Sequence, residues 1–107
     1  MDKGEIWVVE FPKLDGHEQA GTRPAVVLAE VFGIAVIVPL TTNLAALRFE
    51  HTISIKSAKT NGLSAESVAL IFQVRAIDKK RLSRKIGNLE ESYVKKIDEQ
   101  LRKLLKL

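Results

Sequence analysis

The sequence predicts a mainly β fold, a small and strongly curved barrel of five or six short strands packed on one C-terminal helix. Short apolar or alternating runs recur between positions 5 and 74, punctuated by glycine, proline and asparagine. Helical spacing of apolar residues takes over only after Glu90. At 107 residues and 46% hydrophobic content, residues 1–107 read as a single domain with a real core.

Glu5 to Phe11 is the first expected strand, with Ile6 and Val8 on one side and Trp7, Val9 and Phe11 on the other, so both faces are apolar. Pro12 to Gly21 reads as a loop. Pro24 to Ala29 forms the second strand, with proline at the tolerated first position. Gly33 turns the chain into the third strand, Ile34 to Leu40, whose near-continuous apolar character suits a buried centre. Pro39 offers no N–H, so pairing is expected to loosen toward Thr41, Thr42 and Asn43.

Phe49 to Ile55 alternates as a fourth strand, with His51 facing the core edge or a partner, and Ser67 to Val74 is a fifth. Lys56 to Ser64 is a loop marked by Asn61-Gly62. Ile77 to Leu82 suits one or two helical turns, and Lys85 to Leu89 a short strand. The closing helix, about Glu90 to Leu105, carries Val94, Ile97, Leu101, Leu104 and Leu105 on one face. Asn88 with Glu91 is the expected entry cap, and Lys103 and Lys106 suit the negative end of the dipole.

Composition excludes several chemistries. There is no cysteine, hence no disulfide, thiolate site or cysteine nucleophile, and two histidines are too few for a histidine-rich metal site. No metal or cofactor is expected. The longest apolar stretch, about Ile34 to Leu40, is far short of a membrane span, and no basic-then-apolar leader opens the chain, so a cytoplasmic protein is expected. The net charge of +4 is uneven: −2 over residues 1–73 and +6 over 74–107. The basic block at Lys79, Lys80, Arg81, Arg84 and Lys85 either attracts phosphate or an acidic partner, or forms a solvated face.

One loop concentrates chemistry. Gly16-His17-Glu18-Gln19-Ala20-Gly21-Thr22-Arg23-Pro24 sets ionisable groups between two glycines, and Pro24 biases Arg23 toward an extended conformation at the start of a rigid strand. Functional side chains concentrate on loops so held.

This loop, together with Gly4-Glu5-Ile6-Trp7, Val36-Ile37-Val38-Pro39-Leu40-Thr41-Thr42 and Gln73-Val74-Arg75-Ala76-Ile77-Asp78, resembles the MazF/PemK (Kid) toxins of bacterial toxin–antitoxin pairs over nearly the whole chain. The resemblance implies an SH3-like, CcdB/MazF-type barrel of about five to seven strands, forming a homodimer. It implies metal-independent cleavage of single-stranded RNA and inhibition by an antitoxin whose acidic tail covers the RNA site.

Metal-free RNA cleavage by the 2′-hydroxyl needs a base, an acid for the leaving 5′-oxygen, and fixed donors for the charge on phosphorus. Arg23 suits the last role through its planar, permanently charged fork; otherwise it is a surface ion pair, with Glu18 as the natural partner. Thr41 matches the family's catalytic threonine, and Thr42 beside it points the other way and contacts substrate. His17 is the natural base or acid on intrinsic pKa, although only some PemK-like members carry histidine there. Glu18 and Gln19 hold the loop or touch RNA. Gln73 either reads a base edge, supports Arg23, or is a buried structural amide. Phe32 and Phe49, beside loops, are the expected stacking platforms. The PemK branch has an arginine and an aspartate where this chain has Leu70 and Phe72, which leaves Arg23 and Thr41 as the intact pair. Two other classes fit the same fold: a non-catalytic CcdB-like barrel that binds a protein such as gyrase, and a basic nucleic-acid-binding module.

Overall fold

A computed structural model describes residues 1–11 and 21–107. Its elements are β1 (Glu5–Phe11), β2 (Gly21–Val31), β3 (Ile34–Thr41), β4 (Thr52–Ile55), β5 (Ser67–Leu70), β6 (Arg75–Asp78), β7 (Leu82–Asn88) and α1 (Glu91–Leu105). Short 3₁₀ turns lie at Leu44–Arg48, Ile71–Gln73 and Lys79–Arg81. The strands make one antiparallel sheet in the order β4-β5-β3-β2-β1-β7, with β6 also on β3.

β3 is the hub. One of its edges pairs with β2 over Ile34–Pro39; the other pairs with β6 over Ile34–Ile37 and with β5 over Leu40–Thr41. The change of partner spans Val38 and Pro39, where the proline has no N–H to give a ladder. Pairing therefore moves to a new strand at Pro39 and does not simply loosen, which fixes Thr41 firmly against Val68.

Alternation along β2 and β3 divides the core. Val26, Val38 and Leu40 join Ile6, Ile55 and Ile71 under α1, while Ala25, Val27, Ala35 and Ile37 join Val9 and Phe11 on the opposite face. Both faces of these strands are thus covered, as their continuous apolar runs require. Ile97 anchors the helix and is fully buried; such burial is worth roughly 1.5–3 kcal/mol.

Several boundaries differ from the sequence reading. β2 starts at Gly21, ahead of Pro24, because Thr22 and Gly21 still pair with Glu10 and Phe11. β4 begins only at Thr52: Leu44–Arg48 forms a turn capped by Asn43, whose Oδ1 accepts from Ala45 N–H, and His51 takes a left-handed φ of 60° that no strand continues through. β5 stops at Leu70, where the chain tightens into the Ile71–Gln73 turn before β6, a strand the sequence reading lacked. The helical turn expected from Ile77 is confined to Lys79–Arg81, and β7 runs earlier than expected. Asn88 belongs to β7 and does not cap α1; Glu90 holds the cap position without a side-chain cap bond, its carboxylate accepting instead from Asn61.

Candidate functional site

Register brings the two central candidates together. Ala25 faces Pro39 as the last β2–β3 pair, and Arg23 and Thr41 stand two residues beyond that pair on their own strands. Both side chains wall a recess of about 240 Å³ with Thr22, Pro24, Leu40, Thr42 and Ser67. Arg23 is half-buried, and its Nε is shielded from solvent without a hydrogen-bond partner among the described residues.

Thr41 is buried, and its Oγ1 accepts from the Asn43 N–H at 3.2 Å. That bond uses a lone pair and leaves the hydroxyl proton to donate. Thr42 is exposed at the rim, and Ser67 Oγ donates to the Ala65 carbonyl.

Thr41 also walls a second recess, of about 290 Å³, with Asn43, Ala46, Arg48, Phe49, Leu70, Phe72 and Gln73. Phe49 and Phe72 are partly exposed there, their centroids 5.7 Å apart and tilted by 59°, and the Arg48 guanidinium lies 4.6 Å from the Phe49 ring centre. Gln73 is half-buried, so it is not the fully buried amide that was one option for it. Leu70 and Phe72, which depart from the PemK branch, both line this recess. Phe72 in particular supplies an aromatic wall that sequence reasoning did not assign. Arg48, Asn43 and Ser67 were also missed; the only sequence signal was that each stands within a few residues of a strand end.

Other candidates lie elsewhere. His17, Glu18 and Gln19 fall outside the described residues, and with them the alternative of an Arg23–Glu18 ion pair. Phe32 is fully exposed at the β2–β3 tip with φ 50°, nine residues along β2 from Arg23, or roughly 30 Å at the usual strand rise. It does not line the recess that Phe49 walls. His51 faces α1, its Nδ1 3.3 Å from Gln100 Oε1, and lines neither recess.

Among the described residues no carboxylate lines either recess, and no group of three His, Asp or Glu side chains could hold a metal ion. The arrangement supplies a permanent cation, hydroxyl donors and an aromatic wall, which suits an anionic substrate bearing flat rings. Among the described residues no helix is long and apolar enough to cross a membrane.

Comparison with known proteins adds a family. Residues 2–105 match the family described as PemK-like, MazF-like toxin of type II toxin–antitoxin system. The chain is 31% identical over 106 residues to endoribonuclease EndoA of Bacillus subtilis, covering 94% of this chain and 90% of that protein. Crystal structures of MazF from Deinococcus radiodurans superpose on it. One of MazF has TM-score 0.84 and 24% identity, covering all of this chain and 97% of that one; one of a MazE–MazF complex has TM-score 0.76 and 25% identity, covering all of this chain and 96% of that one.

Proposed function

Because the chain belongs to the PemK-like, MazF-like family of type II toxins, we propose that it is an endoribonuclease toxin that cuts single-stranded RNA through the neighbouring 2′-hydroxyl, with Arg23 and Thr41 acting on the scissile phosphate. The observation that carries this reading is the shared recess of those two side chains. Its relative EndoA is named an endoribonuclease, which favours this class over a gyrase-binding barrel or a passive nucleic-acid binder.

In the proposed reaction the 2′-oxygen attacks phosphorus as its proton passes to a base. The P–O5′ bond breaks, and the 5′-oxygen takes a proton as it leaves. The products are a 2′,3′-cyclic phosphate and a 5′-hydroxyl. Arg23 neutralises the charge that grows on the non-bridging oxygens, and the Thr41 hydroxyl donates to one of them. His17 is the proposed proton carrier, since the described walls hold no carboxylate. Glu18, Gln19 and Thr42 contact the RNA. Gln73, with Phe49 and Phe72, faces a base next to the cut.

The protein acts as a cytoplasmic homodimer without a metal. A cognate antitoxin with an acidic tail neutralises it by covering the same cationic recess; MazF of Deinococcus radiodurans is found in complex with MazE. Incubation with single-stranded RNA in the presence of a chelator tests the reading. Cyclic-phosphate and 5′-hydroxyl ends support it, and strict dependence on magnesium overturns it.

A further inference from the structure

A third recess adjoins the first. It measures about 470 Å³ and is walled by Val8, Pro24, Thr42, Gly62, Leu63, Ser64, Ser67, Arg84, Lys85 and Ile86. Pro24, Thr42 and Ser67 belong to both, so the recess of Arg23 and Thr41 opens into it over a common rim. Arg84 pairs with Val8 and Val8 with Pro24, which lines the three up on one face of three neighbouring strands. The Arg84 cation is thus anchored in a row that ends one residue from Arg23.

The charges in this recess are unequal. Lys85 lies 3.8 Å from the Glu5 carboxylate, whereas no carboxylate among the described residues is within ion-pair distance of Arg84. The opposite wall is rigid. Asn61 is fully buried; its Oδ1 accepts from Ala58 and Leu63 N–H, and its Nδ2 donates to the Lys56 carbonyl and to Glu90. Gly62 has φ 71°, and a Cβ there would collide with the Ile86 carbonyl, so this loop meets β7 backbone to backbone. Ser64 lines that wall. The recess therefore sets a cation and hydroxyls around one opening, beside a wall whose backbone is held by Asn61, where an anion can be received.

Resting on the endoribonuclease reading, we propose that this recess is a phosphate subsite for RNA flanking the cut, with Arg84 as its principal contact. Among the described residues, aromatic side chains line the recess on the other side of Thr41 and none lines this one. The strand is therefore held by its bases on the Phe49–Phe72 side and by its backbone on the Arg84 side.

The test uses two single-stranded RNAs around one mapped cleavage position, one trimmed close to the cut and one extended by several nucleotides on both sides. Each is also made with a 2′-deoxy residue at the cut, so that binding is read without turnover. Arg84→Ala is expected to raise KM for the extended RNA about fivefold more than for the trimmed one, with kcat following the unaltered protein. For the deoxy RNA, the slope of log affinity against log salt is expected to fall by about 0.7, the value for one phosphate contact on a single strand. Arg84→Lys is expected to restore that slope. An active protein whose KM and salt slope ignore Arg84, or one in which Arg84→Ala weakens both RNAs equally, overturns the subsite alone. A protein that cuts neither RNA while Arg84 still sets the salt slope overturns the nuclease reading and leaves the subsite supported.

Discussion

The Thr41 hydroxyl oxygen accepts a hydrogen bond from the Asn43 N–H, and that single contact ties the end of the central strand to the turn that carries Arg48 and Phe49. It joins the two recesses through one side chain. Thr41→Ser keeps both this bond and the free hydroxyl proton, and is expected to retain most RNA cleavage. Thr41→Val keeps the shape, loses both, and is expected to lower kcat by at least tenfold, on the scale of one lost charge-directed donor. Single-turnover cleavage of one synthetic RNA by the two variants measures this.

Arg23→Ala is expected to fold normally, since the residue lies at a half-buried strand end, and to lose about 10²–10³-fold in cleavage, as for removal of one oxyanion donor. Arg23→Lys keeps the charge without the planar fork and should recover only part of that loss. Circular dichroism with a cleavage assay separates folding from chemistry; equal rates for Arg23→Ala and the native chain would take Arg23 out of the reaction.

Phe72→Ala is expected to weaken RNA binding by about 1–3 kcal/mol, the range for one base stacked on an aromatic ring. Because Phe72 is partly exposed, stability should change little. Fluorescence anisotropy with a 2′-deoxy RNA, alongside a thermal melt, reads the two effects independently.

Asn61→Ala strands two N–H groups and one carbonyl around a fully buried site, and leaves Glu90 without its amide donor. The expected cost is about 3 kcal/mol, or a melting temperature lower by roughly 10 °C or more. A melt shifted by only a degree or two would mean that the loop does not depend on this side chain.

Glu5 sets an acid limit on stability. The Trp7 indole N–H bonds its carboxylate at 2.8 Å and holds its pKa below the ordinary 4.5, helped by the Asp2 N–H and the nearby Lys85 and opposed by burial. A carboxyl with a depressed folded pKa adds stability that is complete above its unfolded pKa and disappears as pH falls through the folded one. Glu5→Gln should therefore be less stable than the native chain at pH 7, and the two should converge as pH drops below about 4.5. Urea midpoints between pH 7 and pH 3 test the convergence.

The core was legible in the sequence because alternation and continuous apolar runs are local properties. Ile34 to Leu40 could only be a covered strand, and Ile97 with Leu101 could only be the inner face of a helix. Boundaries failed where a turn depended on distant partners. The stretch from Phe49 alternates like a strand, yet Asn43 caps a 3₁₀ turn ahead of it and the left-handed His51 ends the turn's exit, so pairing starts at Thr52. Asn88 with Glu91 had the spacing of a cap, but Asn88 was already claimed by its ladder with Glu5.

The site divides along the same line. Arg23 before a proline and Thr41 at a strand end are visible as residue types, and the resemblance supplied roles for them. Their meeting in one recess follows from the pairing of β2 with β3, which no local pattern specifies, because it is set by which apolar faces meet across the sheet. Phe72 and Arg84 were seen as a departure and as part of a basic block, and Arg48 was not singled out. Only the folding of separate strands onto one rim made them neighbours of Thr41 and Pro24, since a side chain's partners across a sheet are set by pairing and not by its place along the chain.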